Sequence, residues 1–231
     1  MSESLSSRDK TTLATFARVR GARAETLLKY PCLKPARSAD AARKQLERLC
    51  DQGSLAASAL PRGSRLFRLS SKGVALTGAP AAYATSPSAG IAAEMIAVST
   101  LAWRDEFLFP TKAELDDLLA ELARGSEWPK HNGRFVLRPV TTAGPNGPVT
   151  EFRLNAFLAE LRPADELVKR AGVIVQNLSR SILFAELIQA RLLGLTIAVP
   201  SHGVKTSLAG KLPEAEASIV VVEELQDIIA H

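Results

Sequence analysis

Cysteines, histidines and aromatic residues are all scarce in this chain of 231 residues. The two cysteines, Cys32 and Cys50, are too few for a disulfide framework, and we interpret both as reduced core thiols of a cytosolic protein. None of the three histidines has a CxxC or HxxxH neighbour, so we expect no metal site and no cofactor. Aromatic residues make up only 5% of the chain, which argues against binding of single strands or RNA by base stacking.

Long hydrophobic runs are also missing. No apolar run approaches the roughly 18 to 20 residues that span a bilayer, so the sequence predicts no membrane partner. The first ten residues, MSESLSSRDK, are polar and lack the apolar segment of a secretory signal. Hydrophobic residues still account for 46% of the chain, which is enough for a packed core. These features predict a folded cytoplasmic protein.

Negative charge is scarce in the first third of the chain. Residues 1–73 contain 15 Lys and Arg against 6 Asp and Glu, a net charge of +9. Residues 74–231 contain 14 against 18, a net charge of −4. A basic segment joined to a mildly acidic one is typical of a nucleic-acid-binding head on a neutral body. The alternative is that the basic residues are clustered by chance on helix faces that are exposed to water.

A change of composition marks the expected domain boundary. The segment TGAPAAYATSPSAG, residues 77–90, is uncharged and rich in small residues, and it predicts a linker or a connection lying on the surface. We therefore expect an α+β fold with two domains. Residues 1–78 form the first domain, residues 79–90 the linker, and residues 91–231 a helical connector followed by a small α/β domain.

Three helices and a hairpin are predicted in the first domain. A first helix covers Ser7–Val19, with Gly21 as the residue that stops it, and a second covers residues 22–30. Ser38 is a good N-cap for the third helix, which ends at Gly53. Four residues of the third helix follow the i, i+4, i+7, i+8 spacing of an inward stripe: Ala42, Leu46, Leu49 and Cys50. Two extended runs, SLAASAL and SRLFRLS, then flank the turn PRG.

The rest of the chain predicts helices packed on a small sheet. Thr111 and Glu114 form a T-x-x-E capping box at the start of an exposed helix, which follows an apolar helix at 91–104. RFVLRPV and VTEFRLNAFLAEL flank a loop rich in glycine and proline, and they predict a hairpin. Residues 163–193 predict either one helical stretch, continuous or broken near Gly172, or a helix, a strand and a second helix. Two apolar strands follow, LTIAVPS and SIVVVEE, with a short helix between them.

Three helices followed by a two-stranded hairpin resemble a winged helix-turn-helix domain. Residues 7–76 carry the resemblance through the third helix SADAARKQLERLCDQG, the hairpin SLAASALPRGSRLFRLS, and the exit LSSKG. The exit is similar to the L-[ST]-x-x-G ending that follows the second wing strand. The resemblance implies that the third helix enters the major groove of double-stranded DNA and that the hairpin contacts the backbone. A winged helix that binds only protein is the alternative.

Residues on the outer face of the third helix and around the hairpin turn are the candidate DNA contacts. Arg43 and Lys44 lie in the first half of the helix, where side chains meet base edges, and the arginine fork matches the O6 and N7 atoms of guanine. Ser38, Asp40 and Arg48 share the outer face. The remaining candidates are placed at phosphates or flank the turn: Arg20, Arg23, Lys34, Arg37, Arg62 and Arg65. Six phosphate contacts would make log affinity fall with log salt at a slope of about −5.

The whole chain bears a weaker resemblance to replication-relaxation proteins of plasmids and mobile elements, which join a winged helix to a PD-(D/E)xK-like domain. Such a nuclease needs an acidic residue on one strand and E-x-K on the next to hold a divalent metal. RFVLRPV has no acidic residue, and residues 160–162, ELR, have arginine in place of the lysine. Asp165 and Glu166 fit the start of a helix instead. We expect no catalytic residues, and PSHGVKTSLAGK, residues 200–211, is not a Walker A motif.

Together these patterns predict a sequence-specific double-stranded DNA-binding protein rather than an enzyme. It would be a transcriptional regulator or an accessory factor of a plasmid or other mobile element, located in the cytoplasm at the nucleoid. A homodimer is expected because a single winged helix reads few base pairs, with residues 91–103 and 181–193 as the candidate interface. The alternatives are a divergent metal-dependent nuclease and an interaction scaffold whose winged helix contacts only protein.

Overall fold

The computed structural model describes residues 5–27, 38–60, 64–104, 107–123, 134–145, 147–159, 162–213 and 220–225. Packing divides the chain after Arg104 into two units. Each unit combines helices with a sheet of its own, so the chain has the α+β fold that the sequence predicts. The candidate DNA contacts Lys34, Arg37 and Arg62 lie outside the described residues.

The first unit is a three-stranded antiparallel sheet with helices packed against it. Its elements follow one another as α1 (Ser7–Val19), β1 (Gly21–Ala22), α2 (Ala24–Leu27), α3 (Ala39–Asp51), β2 (Leu55–Ala59), β3 (Arg65–Leu69), α4 (Ser71–Thr77) and α5 (Ala89–Arg104). The sheet has the order β1-β3-β2, so the first strand along the chain lies beside the last.

The start of the chain confirms the first predicted helix and corrects the second. Ser6 begins α1 with a capping box, because its hydroxyl accepts from the Asp9 N–H and the Asp9 carboxylate accepts from the Ser6 N–H. Ala22, expected to begin the second helix, is instead paired with Phe67 in the sheet. The chain turns out of α1 at Arg20, whose φ is 69°, and α2 begins only at Ala24.

The third helix, α3, has the boundaries and the buried face that its sequence predicts. The Ser38 hydroxyl accepts from the Ala41 N–H at 3.2 Å, which caps the first turn. Ala42, Leu46 and Leu49 are fully buried, whereas Cys50 is only half-buried. The helix ends at Gly53 (φ 73°), and the Gly53 and Ser54 N–H groups donate to the last carbonyls in a Schellman arrangement.

The sequence LSSKG joins the hairpin to α4 through close backbone contacts. The Ser70 hydroxyl accepts from the Gly73 N–H at 3.0 Å, which caps α4, and it donates to the Gly53 carbonyl at 2.5 Å. A Cβ atom at Gly73 would lie 2.1 Å from the Ser54 carbonyl oxygen, so only glycine fits there. The serine and the glycine therefore hold the start of α4 against the turn between α3 and β2.

The division after Arg104 differs from the linker predicted at residues 79–90. A single 3-10 turn at Ala81–Ala84 leads into α5, and α5 packs against α1, α2 and β1 of the first unit. Every residue from Met95 to Leu101 is buried. A helix that is apolar on all sides is stable only when it is covered on all sides, so the expected connector is part of the first unit.

The second unit is a four-stranded sheet with helices packed on it. Its elements are α6 (Lys112–Ala123), β4 (Arg134–Gly144), β5 (Gly147–Ala159), α7 (Ala164–Ser179), α8 (Ile182–Gln189), β6 (Leu193–Val199), α9 (His202–Lys211) and β7 (Val220–Glu224). The strand order is β4-β5-β6-β7; β4 is antiparallel to β5, and the other neighbours are parallel. The predicted capping box begins α6, since Thr111 and Glu114 each accept from the other's N–H.

The helical stretch after β5 is broken, but not near Gly172. That glycine lies inside α7, and the break falls at Arg180 and Ser181, between α7 and α8. A single glycine inside a helix costs only about 1 kcal/mol. Leu167 and Leu178, on either side of Gly172 along the helix, both pack into the core of the second unit, and this burial outweighs that cost.

Replacing Arg191 by glycine is expected to raise the free energy of unfolding by about 0.5 to 1 kcal/mol. Arg191 follows α8 with φ 58°, and the Arg191 and Leu192 N–H groups donate to Ile188 and Leu187 in a Schellman motif. Glycine adopts this left-handed conformation without steric cost. Urea unfolding would measure the change, with Arg180→Gly as the control: Arg180 has φ −69°, so the same substitution should lower stability there. Equal effects of the two substitutions would contradict the prediction.

Candidate nucleic-acid interface

The surface of α3 that faces away from the core carries both signs of charge. Lys44 is exposed on this face, together with Asp40 and Asp51, and the Glu47 side chain is partly exposed. Lys44 forms no ion pair with any residue that the structure describes. Ser38, also exposed, uses its hydroxyl as the helix cap, so it marks the amino end of the candidate interface.

Two of the predicted cationic contacts are held by carboxylates of α3. Arg43 forms an ion pair with Asp40 one turn away on the same helix. Arg65, at the start of β3, reaches Glu47 across the gap between hairpin and helix, with 3.0 Å between Nη1 and Oε1. Each carboxylate neutralises its arginine locally, so this surface has fewer unpaired cations than the number of its arginines suggests. The two pairs also hold each guanidinium in one place, which reduces the ordering that a further contact would require.

Arg48 joins α3 to the start of α1. Its Nη2 atom lies 2.5 Å from Oδ1 of Asp9, whose side chain is only 3% exposed. Burial by itself would raise the pKa of Asp9, but hydrogen bonds from the Ser6 hydroxyl and from Arg48 together lower it. Removing Arg48 would leave this carboxylate buried without its cation. Arg48 therefore stabilises the packing of two helices, a contact that its exposed position in the sequence pattern did not indicate.

Arg20 and Arg68 bind the segment that follows α4. The Arg20 guanidinium lies 5.3 Å from the centre of the Tyr83 ring, a cation–π contact. Arg68 is buried, and it donates to the carbonyls of Leu69 and Ala84 and to the Ser86 hydroxyl. Desolvation by burial lowers the pKa of Arg68. The segment that the sequence identified as a linker is thus fastened to the sheet of the first unit.

Of the four remaining predicted contacts, the structure describes only Arg23. Arg23 is half-buried at the start of α2. Lys34, Arg37 and Arg62 belong to residues that the structure does not describe. The structure thus brings together Lys44, Arg43 and Arg65 around α3 and the hairpin, and it assigns Arg20 and Arg48 to internal contacts. The sequence pattern could not distinguish the exposed cations from the internal ones. The internal partners, Asp9 for Arg48 and Tyr83 for Arg20, lie far away along the chain.

The acidic residues of the second unit do not form a metal site in the part of the chain that the structure describes. Asp165 lies in the first turn of α7, as predicted, and it accepts a 2.6 Å hydrogen bond from Lys211 of α9. That hydrogen bond lowers the pKa of Asp165. Glu160 lies outside the described residues. At the start of α9, Ser201 caps the helix and His202 lies 3.2 Å from Glu224.

Two further findings concern the chain as a whole. Among the described helices, no single one is long and apolar enough to cross a bilayer, and only α7 and α8 together, bent by 112°, reach the required length. No family model, curated protein or solved structure matches this chain.

Proposed function

We propose that the chain is a double-stranded DNA-binding protein whose first unit is a winged helix-turn-helix domain. The observation that carries the proposal is the order α1-β1-α2-α3-β2-β3 together with the sheet order β1-β3-β2. This arrangement leaves one face of α3 exposed beside the hairpin, as a recognition helix requires. A transcriptional regulator or an accessory factor of a mobile element, located at the nucleoid, is the role that fits such a protein.

The proposed contacts differ in part from those suggested by the sequence. Lys44 is exposed and available to a base edge or a phosphate. Arg43, held by Asp40, presents a positioned fork of the kind that matches guanine. Arg65 is placed at the backbone beside the hairpin. The phosphate contacts expected of Lys34, Arg37 and Arg62 remain part of the proposal, whereas Arg20 and Arg48 act by positioning the domain.

An interaction scaffold is the second candidate, because α3 also carries acidic residues. Asp40, Glu47 and Asp51 all lie on its outer half, where carboxylates repel phosphates. A basic protein partner would find these groups favourable. No observation on the described residues favours the nuclease alternative: Asp165 is paired with Lys211, and Glu160 lies outside the described residues.

Salt-dependent DNA binding is the expected result that tests the proposal. Fluorescence anisotropy with mixed-sequence duplex DNA between 50 and 300 mM salt should give a log–log slope of about −5, which corresponds to about 0.9 for each of about six phosphate contacts. Lys44→Ala should reduce the slope by about one and weaken binding by roughly three- to tenfold. The matched control is Lys169→Ala, which removes an exposed lysine of α7 in the second unit and should change neither quantity.

The same titration separates the two candidates. Absence of binding at 50 mM salt would reject DNA binding and favour the scaffold. Equal losses for Lys44→Ala and Lys169→Ala would show that binding is unspecific electrostatic attraction and that α3 is not the contact surface.

A further inference from the structure

Asp40 and Arg43 lie at different angles around α3. Because an α-helix turns by about 100° per residue, Asp40 lies roughly 150° from the middle of the buried stripe and Arg43 roughly 90° from it. Asp40 is therefore near the middle of the outer face, and Arg43 is at its side. The exposure of the two side chains agrees with these angles, since it is 75% for Asp40 and 43% for Arg43.

The ion pair with Asp40 draws the Arg43 guanidinium away from the side of the helix. The Arg43 Nη2 atom donates to Oδ1 of Asp40, which lies nearer the amino end of α3 and nearer the middle of the outer face. The guanidinium is thus held over the first turn of α3. In a helix that enters the major groove, the residues of the amino-terminal turns are the ones that contact base edges.

The pair of Asp40 and Arg43 is neutral, yet it keeps hydrogen-bond donors for a ligand. The carboxylate cancels the charge that would attract a phosphate. A guanidinium carries five N–H donors, and Asp40 accepts from Nη2 alone, so the N–H groups of Nη1 and Nε remain. A neutralised arginine adds little to the attraction of DNA as a whole. Its directed donors suit a base edge, and guanine presents the matching pair of acceptors, O6 and N7.

Lys44, the next residue along α3, has the opposite properties. It is exposed and forms no ion pair with any residue that the structure describes. Its ammonium group is a full charge on a flexible stem, which binds a phosphate without the planar geometry that reads a base. Lys44 is therefore suited to affinity for DNA, and the pair of Asp40 and Arg43 is suited to discrimination between bases.

We propose that Asp40 is a positioning residue that makes Arg43 selective for guanine in the major groove of double-stranded DNA. Its carboxylate holds the guanidinium over the first turn of α3 and keeps it from binding a phosphate at the side of the helix. The inference rests on the proposed function and deepens it, because it names the base that α3 reads and the residue that sets this choice.

Replacing Asp40 should change affinity and base preference in opposite directions. Asp40→Ala removes a negative charge from a surface that faces phosphates, so binding to mixed-sequence DNA should become about two- to threefold tighter. The released Arg43 should then bind phosphate as well as guanine. The preference for guanine should fall about fivefold or more, since a bidentate arginine contact is worth roughly 5- to 150-fold in discrimination.

Asp40 also lies in the first turn of α3, where a carboxylate interacts favourably with the helix dipole. That interaction contributes to the stability of the helix, and it has no connection with the choice of base. If it were the whole role of Asp40, the substitution would leave the preference for guanine unchanged. Base preference therefore distinguishes a positioning role from a purely structural one.

The proposed contact belongs to a single chain and does not depend on the homodimer, which stays a prediction. The two segments that the sequence suggested for pairing are largely covered within their own units. The apolar residues of α5 are buried from Met95 to Leu101. In α8, Phe184 and Leu187 are buried in the core, and only Ile182 at the first turn is strongly exposed.

Selection from randomised duplex DNA with the whole chain, followed by sequencing of the bound fraction, tests the inference. The parent should enrich a guanine at the position that α3 reads. Fluorescence anisotropy at one fixed salt concentration then compares the selected duplex with one in which adenine replaces this guanine. Asp40→Ala and Arg43→Ala should each reduce the ratio of the two affinities. In the Asp40→Ala background, the further loss caused by Arg43→Ala should be smaller than in the parent.

The matched control is Asp51→Ala. Asp51 is exposed on the same face of α3, and removal of its charge should also tighten binding to mixed-sequence DNA. Because Asp51 lies about two turns from Arg43 along the helix, this variant should keep the parental preference for guanine. Circular dichroism and urea unfolding of all variants would establish that they are folded.

The outcomes separate the inference from the proposed function. A parental preference for guanine in Asp40→Ala would overturn the inference, and so would a preference that Arg43→Ala leaves intact. DNA binding by the parent without any base preference would overturn the inference alone. Equal losses of preference for Asp40→Ala and Asp51→Ala would contradict a positioning role of Asp40. If the parent binds no duplex DNA at 50 mM salt, the proposed function fails and the inference fails with it.

Discussion

Gly73→Ala is expected to lower the free energy of unfolding by about 3 kcal/mol, because a Cβ atom has no space at this position. It would lie 2.1 Å from the Ser54 carbonyl oxygen and 3.1 Å from a methyl group of Leu69. The neighbour at 2.1 Å is backbone at the end of α3, which the Schellman bonds hold in place. The first turn of α4 must therefore move away, and the hydrogen bond between Ser70 and the Gly73 N–H is lost with it.

The matched control for this substitution is Gly90→Ala. Gly90 lies in the first turn of α5, and no atom lies within 4 Å of a Cβ added there. Alanine is the better helix former by up to about 1 kcal/mol, so this variant should be as stable as the parent or more stable. Urea unfolding of both variants gives the comparison. A loss of less than about 1 kcal/mol for Gly73→Ala would show that α4 adapts easily and that the LSSKG sequence is not a structural requirement.

The elements that the sequence predicted correctly are those determined by local chemistry. The boundaries of α3 follow from a serine cap, a stripe of three apolar residues and a glycine in the left-handed conformation. All of these lie within sixteen consecutive residues, so periodicity and capping preferences contain the information. The capping box of Thr111 and Glu114 was predictable for the same reason.

The errors concern contacts between distant parts of the chain. Ala22 has a reasonable helix propensity, but its pairing with Phe67 of β3 places it in a strand. The domain boundary was placed at residues 79–90 from their composition, whereas Arg68 and Arg20 fasten this segment to the first unit and the division comes after Arg104. Gly172 is a weak helix residue whose neighbours are held by the core. In each case tertiary packing outweighed a small local preference.

The sequence predicted which face of α3 is exposed, but it did not predict which of the cations there are held in ion pairs. The pattern of α3 identified Arg43, Lys44 and Arg48 as residues of the outer surface. It did not show that Arg48 would pair with Asp9, which is 39 residues away, or Arg65 with Glu47, which is 18 away. A count of Lys and Arg therefore overestimates the free positive charge of this surface. Only the folded chain distinguishes a cation available to a ligand from one that holds two helices together.

Asp9→Asn is expected to lower the free energy of unfolding by about 2 kcal/mol at neutral pH, mainly through Arg48. The Asp9 carboxylate accepts hydrogen bonds from both the hydroxyl and the N–H of Ser6 and a 2.5 Å bond from Arg48. An asparagine amide offers only one oxygen, so its NH₂ group must face either Ser6 or Arg48, both of which donate. The Arg48 side chain is about half exposed, which limits the loss through solvent screening.

The control for this variant is Asp40→Asn. It removes a carboxylate from the exposed ion pair of Asp40 and Arg43, which lie one turn apart on α3. Because both Asp40 and Arg43 are exposed to solvent, the change in unfolding free energy should be below about 0.5 kcal/mol. Urea unfolding of the two variants and the parent at neutral pH gives the comparison. Equal effects at the two positions would mean that the pair of Asp9 and Arg48 is not a stabilising contact.

Acid provides an independent measure of the same interaction. The pKa of Asp9 is lowered in the folded protein, so the carboxylate binds a proton less readily there than in the unfolded chain. Its contribution to stability is complete above the unfolded pKa, near 4, and it is lost as the pH falls through the lower folded pKa. Between pH 5 and pH 2, the parent should therefore lose more stability than Asp9→Asn, which has no carboxyl group to protonate at this position. Parallel stability curves for the two proteins would show that Asp9 is protonated as easily in the folded state as in the unfolded state, and the role assigned to Arg48 would be wrong.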